Sequence, residues 1–172
     1  DPGEGELLED FQFPWLDRPA PLTTFRAVWN EETFAFRFEV EDDDVVLDSS
    51  PDPGEAVLGS DRVELFFATS PDLGEPYYGA EMDLRGGVYD YRAKFHREFD
   101  PNWSFPGLEF SGTLLEGGYE VEGRIPLAVL RDLGCLRGSE MTAGVPHAIA
   151  SLTTRPYVSS PSEGRQRRSA AA

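Results

Sequence analysis

The sequence predicts an all-β fold, a two-sheet antiparallel sandwich of immunoglobulin or jelly-roll type with one short helix. Three observations point to it. Apolar residues recur at every second position through most of the chain, which is the repeat of a half-buried strand. Gly, Asn and Pro interrupt those runs at short intervals. A single segment carries helical spacing, too short to cover a parallel sheet. The 172 residues, 40% of them hydrophobic, suffice for one domain with a buried core and argue against disorder as the overall state.

Taken in order, residues 24–30 (TFRAVWN) alternate and lead through Asn30, Glu31 and Glu32 into residues 33–41 (TFAFRFEVE), so a hairpin is the economical connection. In the second run Phe34, Phe36, Phe38 and Val40 share a face opposite Thr33, Arg37, Glu39 and Glu41. Residues 62–68 (RVELFFA) set Val63, Leu65 and Phe67 against Arg62, Glu64 and Phe66. Residues 77–85 (YYGAEMDLR) set Tyr78, Ala80, Met82 and Leu84 against Glu81, Asp83 and Arg85. Gly86 and Gly87 then turn the chain into the aromatic run GVYDYRAKF, a second hairpin. Gly117 and Gly118 precede YEVEGRI, with Tyr119, Val121 and Ile125 on one side. Pro126 opens the helical segment, Leu127, Leu130 and Leu133 give it an apolar stripe, and Gly134 stops it. The residues expected inside are Phe34, Phe36, Phe38, Val63, Leu65, Phe67, Met82 and Leu84, since a one-residue slip would expose them all.

Residues 42–60 and 95–107 read as long irregular loops, the places where a sandwich usually carries function. Residues 1–158 read as one domain. From Ser159 the chain runs SSPSEGRQRRSAAA, small, polar and basic, so residues 159–172 are expected to be a disordered or altered tail.

Charge removes some functions. With 15 Lys and Arg against 32 Asp and Glu, the net charge of −17 repels a polyanion, which argues against nucleic acid as a partner. No apolar stretch reaches the roughly 18–20 residues that span a bilayer, and no leader of the secretory type precedes Asp1, so a soluble chain is expected. One cysteine, Cys135, allows neither an internal disulfide nor a Cys-based zinc site, and His96 and His147 lie in no catalytic motif.

Glu64, Glu81 and Asp83 are the first candidates for chemistry, because neighbouring strands would gather their carboxylates on one sheet face. Such a cluster needs an offset: Arg37, Arg62 or Arg85, a metal ion, or ligand hydroxyls. A solvated face laced with salt bridges is the structural alternative. The loop around Phe95, Phe99, Trp103 and Phe105 offers flat aromatic surface, and a sugar ring asks for that surface together with carboxylate or guanidinium groups. Trp103 near the carboxylates would meet the requirement; the alternative is that these rings plug the end of the sandwich. Asp42, Asp43 and Asp44, followed by Asp48 and Asp52, form an acidic run that could hold a hard cation such as Ca2+, with Asp42, Asp44 and Asp61 the expected ligands, although the run lacks the calcium-loop signature and also reads as a solvated acidic turn.

Four stretches in order, FAFRFEVEDDDVV, GSDRVELFF, YYGAEMDLRGGVYDYRAKFHREFDPNW and GGYEVEGRIPLAVLRDLG, resemble the family 9 carbohydrate-binding modules and related DOMON-like sandwiches over about residues 24–134. The resemblance implies a sugar-binding sandwich that works beside secreted glycan-degrading enzymes, outside the cell or in the cell envelope, with structural calcium in some members. It implies that Glu64, Glu81 and Asp83 face the hydroxyls of a mono- or oligosaccharide, and Arg85 and Trp103 are expected at the margin of that surface. The family's two clamping tryptophans have no counterpart: Leu58 stands at the first position, and the C-terminal segment reads PYVSSPSEGRQRRSAAA. Noncatalytic carbohydrate binding is therefore the leading expectation. A glycoside hydrolase using Glu64 and Glu81 as acid and base, about 5 to 10 Å apart across a cleft, is the alternative, beside a purely structural or interaction sandwich.

Overall fold

Burial follows the sequence alternation in the run read over residues 33–41. In the computed structural model, which describes residues 5–9, 11, 20–70, 75–94, 98–100, 102–138, 140–144 and 147–148, the strand Thr33–Glu41 has Phe34, Phe36, Phe38 and Val40 buried and its other residues at least partly exposed. Five strands make the first antiparallel sheet: β1 (Glu6–Leu8), β2 (Thr23–Trp29), β3 (Thr33–Glu41), β7 (Glu109–Leu115) and β8 (Gly118–Pro126), in the order β1-β2-β3-β8-β7. The second sheet holds β4 (Arg62–Ala68), β5 (Tyr77–Asp83), β6 (Val88–Ala93), β9 (Leu136–Arg137) and β10 (Glu140–Gly144), in the order β6-β5-β4-β10-β9, and β11 (His147–Ala148) also pairs with β4. Two short helices, α1 (Pro53–Gly59) and α2 (Leu127–Asp132), complete the described elements.

The inner faces meet in a phenylalanine-rich core. Phe34 meets Phe67 edge-on at 5.5 Å, and Phe36 meets Phe38 at 6.1 Å. Each buried ring of this size contributes about 1.5–3 kcal/mol through area removed from water. Of the residues expected inside, Leu84 alone is partly exposed, packed against the core's edge. Backbone meets backbone at Gly112 of β7, where a Cβ would collide with the backbone of Leu84, just past β5.

Both expected hairpins form. Trp29 faces Phe34 across the first, whose turn is held by the Asn30 side chain accepting from the Glu32 and Thr33 amides at 2.8 Å. Met82 faces Val88 across the second, where Gly86 takes a φ of +88°, open to glycine at no steric cost.

Residues 42–60 depart from the expectation of an irregular loop, because α1 lies within them. Asp52 caps it by accepting from the Glu55 amide at 2.9 Å, and Pro53 begins it. β7 also went unread: it is an edge strand whose face is largely exposed, so its sequence EFSGTLL carries no apolar alternation. β1 and the short strands β9, β10 and β11 lie beyond the sequence reading as well. His96 and residues 159–172 fall outside the described residues.

Candidate functional site

β4, β5 and β6 share a register that aligns their outward side chains in rows. Glu64 of β4 lies opposite Glu81 of β5, which lies opposite Tyr89 of β6. One row toward the hairpin turn Arg62 pairs with Asp83, and one row away Phe66, Gly79 and Tyr91 align. Gly79 is required there, since a Cβ would meet the rings of both Tyr91 and Phe66.

The carboxylates are not the solvated face that period two suggests. Glu64, Glu81 and Asp83 are 3%, 1% and 1% exposed, and Arg62 is fully buried. A carboxylate at that depth must be paired. Arg62 supplies the pairing: its Nε donates to Glu81 Oε2 at 2.6 Å, its Nη2 stands 3.5 Å from Glu64 Oε1, and its Nη1 donates to the carbonyls of Leu58 and Ser60. Burial nevertheless pushes the Glu81 carboxyl above its usual range, with Arg62 pulling the other way.

Asp83 organises the turn. Its Oδ1 accepts from the amides of Arg85 and Gly87 at 2.9 and 2.8 Å, and its Oδ2 accepts from the Arg85 guanidinium at 3.1 Å. That guanidinium also donates to the Ser60 hydroxyl at 3.2 Å, so Arg85 bridges the β5–β6 turn and the end of α1 while remaining 39% exposed. Tyr89, half-buried, lies beneath Gly54 of α1, and burial together with Glu81 raises its hydroxyl pKa. Tyr91 packs against Phe66, Tyr89 and Phe99, and its buried hydroxyl has no hydrogen-bond partner among the described residues.

Glu64, Glu81, Asp83 and Arg85 are thus brought together. Trp103 is not: it packs at 4.9 Å on Tyr78 and at 5.2 Å on Phe105, both on the core side of the sheet, opposite the carboxylates. The alternation of a strand explains this, because Tyr78 and Glu81 point to opposite faces. The aromatic group beside the carboxylates is Tyr89, and its signal was in the sequence: with a hairpin turn at Gly86, Tyr89 falls opposite Glu81.

The residues read as cation ligands do not converge. Asp61 Oδ2 accepts from the Val46 amide at 2.6 Å, and Asp42 Oδ1 accepts from the Asp44 amide at 2.9 Å. Among the described residues no group of three or more His, Cys, Asp or Glu is placed to hold a metal ion, so Asp42, Asp44 and Asp61 do not fit a calcium cage. Among the same residues no helix is long and apolar enough to cross a membrane.

Comparison with known proteins adds three findings. The family model described as "Carbohydrate family 9 binding domain-like" matches residues 9–150. A Bacteroides uniformis protein assigned to carbohydrate binding has a similar fold, with a TM-score of 0.61 at 16% identity over 83% of this chain and 70% of that one. A family 9 carbohydrate-binding module of Caldicellulosiruptor kristjanssonii, solved with glucose, gives a TM-score of 0.46 at 17% identity, covering 84% of this chain and 65% of that one. The same organism's module solved with cellotriose gives 0.44 at 19% identity, and the chain spans 57% of its length. No curated protein matches.

Proposed function

The chain belongs to the carbohydrate family 9 binding domain-like family, and from that premise we propose that it binds a neutral mono- or oligosaccharide, without cleaving it, on the outer face of β4, β5 and β6. The observation that carries the location is the single row of Glu64, Glu81 and Tyr89, with Arg85 held by Asp83 in the neighbouring row. A pyranose has an apolar face for the Tyr89 ring and hydroxyls for charged hydrogen-bonding groups. Arg85 and Tyr89 are the groups that meet the ligand. Glu64, Glu81 and Asp83 lie beneath them, hold the two arginines, and are the acceptors a hydroxyl reaches once it displaces what covers them.

The hydrolytic alternative is disfavoured by the same geometry. An acid–base pair needs carboxyls about 5 to 10 Å apart flanking a bound sugar. Glu64 and Glu81 are direct cross-strand neighbours joined through one buried arginine, and both are almost wholly buried rather than flanking an open site. The reading extends to a role beside a glycan-degrading enzyme, outside the cell or in the envelope, supported by the family.

Calorimetric titration with glucose, xylose and cellobiose tests the proposal. Tyr89→Ala and Arg85→Ala should each weaken binding about 5- to 100-fold, the loss of a stacked ring or a charged hydrogen bond. Both variants should retain cooperative melting. Unchanged affinity in both would move the site elsewhere, and release of reducing sugar from a polysaccharide by the wild type would overturn the noncatalytic reading.

A further inference from the structure

The row of Glu64, Glu81 and Tyr89 continues along the same three strands into an aromatic strip. Phe66, Gly79 and Tyr91 form the next row, and beyond it Tyr77 of β5 pairs with Ala68 and Ala93. Side chains two residues apart on a strand share a face, so Phe66 lies on the side of Glu64, Tyr77 on the side of Gly79 and Glu81, and Tyr91 on the side of Tyr89. The ring contacts agree. Centroids of Phe66, Tyr77 and Tyr91 stand 6.2 to 6.5 Å from one another, and Tyr91 meets Tyr89 at 5.7 Å and Phe99 at 5.1 Å.

The strip opens toward β10. There Gly144 pairs with Phe66, and cross-strand partners point to one face, so a Cβ on Gly144 would stand beside the Phe66 ring. It would meet nothing within 4 Å among the described residues, which leaves the flank of that ring over open space. Phe66, Tyr77, Tyr89 and Phe99 are each partly exposed, and Tyr91 among them is 1% exposed. Rings packed on a buried one keep their places when a ligand arrives, so little ordering cost remains at binding. Three of the five rings are tyrosines, apolar on the face and polar at the tip, and the rows of Phe66 and Tyr77 contribute no charge in β4, β5 or β6. The hydroxyl of Tyr91, without a partner among the described residues, is a donor still to be satisfied.

We infer that the ligand of this face is an oligosaccharide, one pyranose meeting Arg85 and Tyr89 and a further unit of the same chain lying on the Phe66 ring over Gly144. Neighbouring strands are about 4.8 Å apart and successive rows roughly 7 Å, so the backbone positions of Tyr89 and Phe66 are about 12 Å apart, more than one sugar ring spans. A strip of uncharged rings suits the apolar face of a neutral pyranose and offers an ionic ligand nothing. The net charge of −17 disfavours an acidic chain at long range as well. Two contacts on one face let a chain of sugars gain affinity by linkage without any stronger individual contact.

The inference rests on the saccharide-binding reading, and calorimetric titration with glucose, xylose and their β-1,4-linked tetramers separates the two. In the wild type one tetramer should bind at least tenfold tighter than its own monomer. Gly144→Leu fills the open space beside Phe66, and Phe66→Leu keeps apolar volume while removing the flat ring; both should melt cooperatively. Each should weaken tetramer binding about 2- to 10-fold, the worth of one stacked ring, and leave the monomer's affinity within about twofold. Monomer and tetramer bound alike by the wild type, or a tetramer advantage intact in both variants, overturns the further subsite and leaves the proposed function standing. Equal losses for monomer and tetramer would make the strip the seat of the first unit, overturning the inference together with the location proposed above. No binding of any of the four sugars overturns both readings.

Discussion

Arg62 has no exposed surface, yet it carries a full charge between two buried carboxylates and spends its remaining donors on the Leu58 and Ser60 carbonyls. Removing one partner of a buried ion group strands the others in a medium that solvates charge poorly. Arg62→Met should therefore cost about 3–5 kcal/mol at pH 7, read from urea denaturation. The sign of its pH dependence follows from the carboxylates left behind. Without Arg62 the Glu81 carboxyl, already raised by burial, rises further above its unfolded value, so the penalty applies above that unfolded value near 4.3 and fades as pH falls toward it. The deficit between variant and wild type should shrink between pH 7 and pH 4.5, and a deficit that stays constant would assign the loss to packing instead. The sequence names Arg62 as an available partner and puts it on the same face as Glu64. It does not reveal that this face is buried, because period two reports which residues share a side and is silent on what covers that side.

At the scale of elements, the two sheets depend on places where the backbone itself is the packing surface. A Cβ on Gly112 would collide with the Leu84 carbonyl oxygen, an atom that cannot swing aside as a side chain would. Gly144, in β10, would meet nothing within 4 Å. Gly112→Ala should destabilise the domain by roughly 2 kcal/mol or more, as an overpacked core does, and Gly144→Ala by less than about 0.5 kcal/mol. Equal melting temperatures for the two variants would show that β7 shifts freely and that the contact with Leu84 does not set the sheet spacing. The strands with strong alternation, β3, β4, β5 and β8, were legible because one face of each is buried. β7 was not, since an edge strand with both faces largely wet has no apolar period to read. α1 was hidden for a different reason: its stop lies within seven residues, too short for a helical period, although Asp52, Pro53 and Glu55 spell its start.

At the scale of the whole molecule, hairpin arithmetic made half of the candidate site readable, since a turn at Gly86 brings Tyr89 opposite Glu81. Trp103 was misplaced because nothing local tells which face of a sheet a loop residue returns to, and Trp103 packs with Phe105 on the core side. The same burial gives the molecule a shared alkaline weakness. Cys135 is 3% exposed and its thiol is pushed up to about 11, while Tyr91 and Tyr119, at 1% and 0%, have hydroxyls that burial drives well above the usual phenol range. Among the described residues neither tyrosine hydroxyl has a hydrogen-bond partner to stabilise a phenolate. All three groups therefore keep protons in the native state that the unfolded chain releases near pH 8.5 to 10. Stability present below those values is lost as pH rises through them, at up to about 1.4 kcal/mol per unit for each group. Of the six tyrosines, Tyr91 and Tyr119 should ionise only as the sheet signal in circular dichroism disappears, giving a late phenolate absorbance step that coincides with unfolding. Cys135 should react with a thiol reagent at pH 8 far more slowly in the native protein than in urea. Six phenolates appearing near pH 10 with the sheet signal intact would mean that these hydroxyls reach water, and that the packing around Tyr91, on which the candidate site leans, is looser than the structure describes.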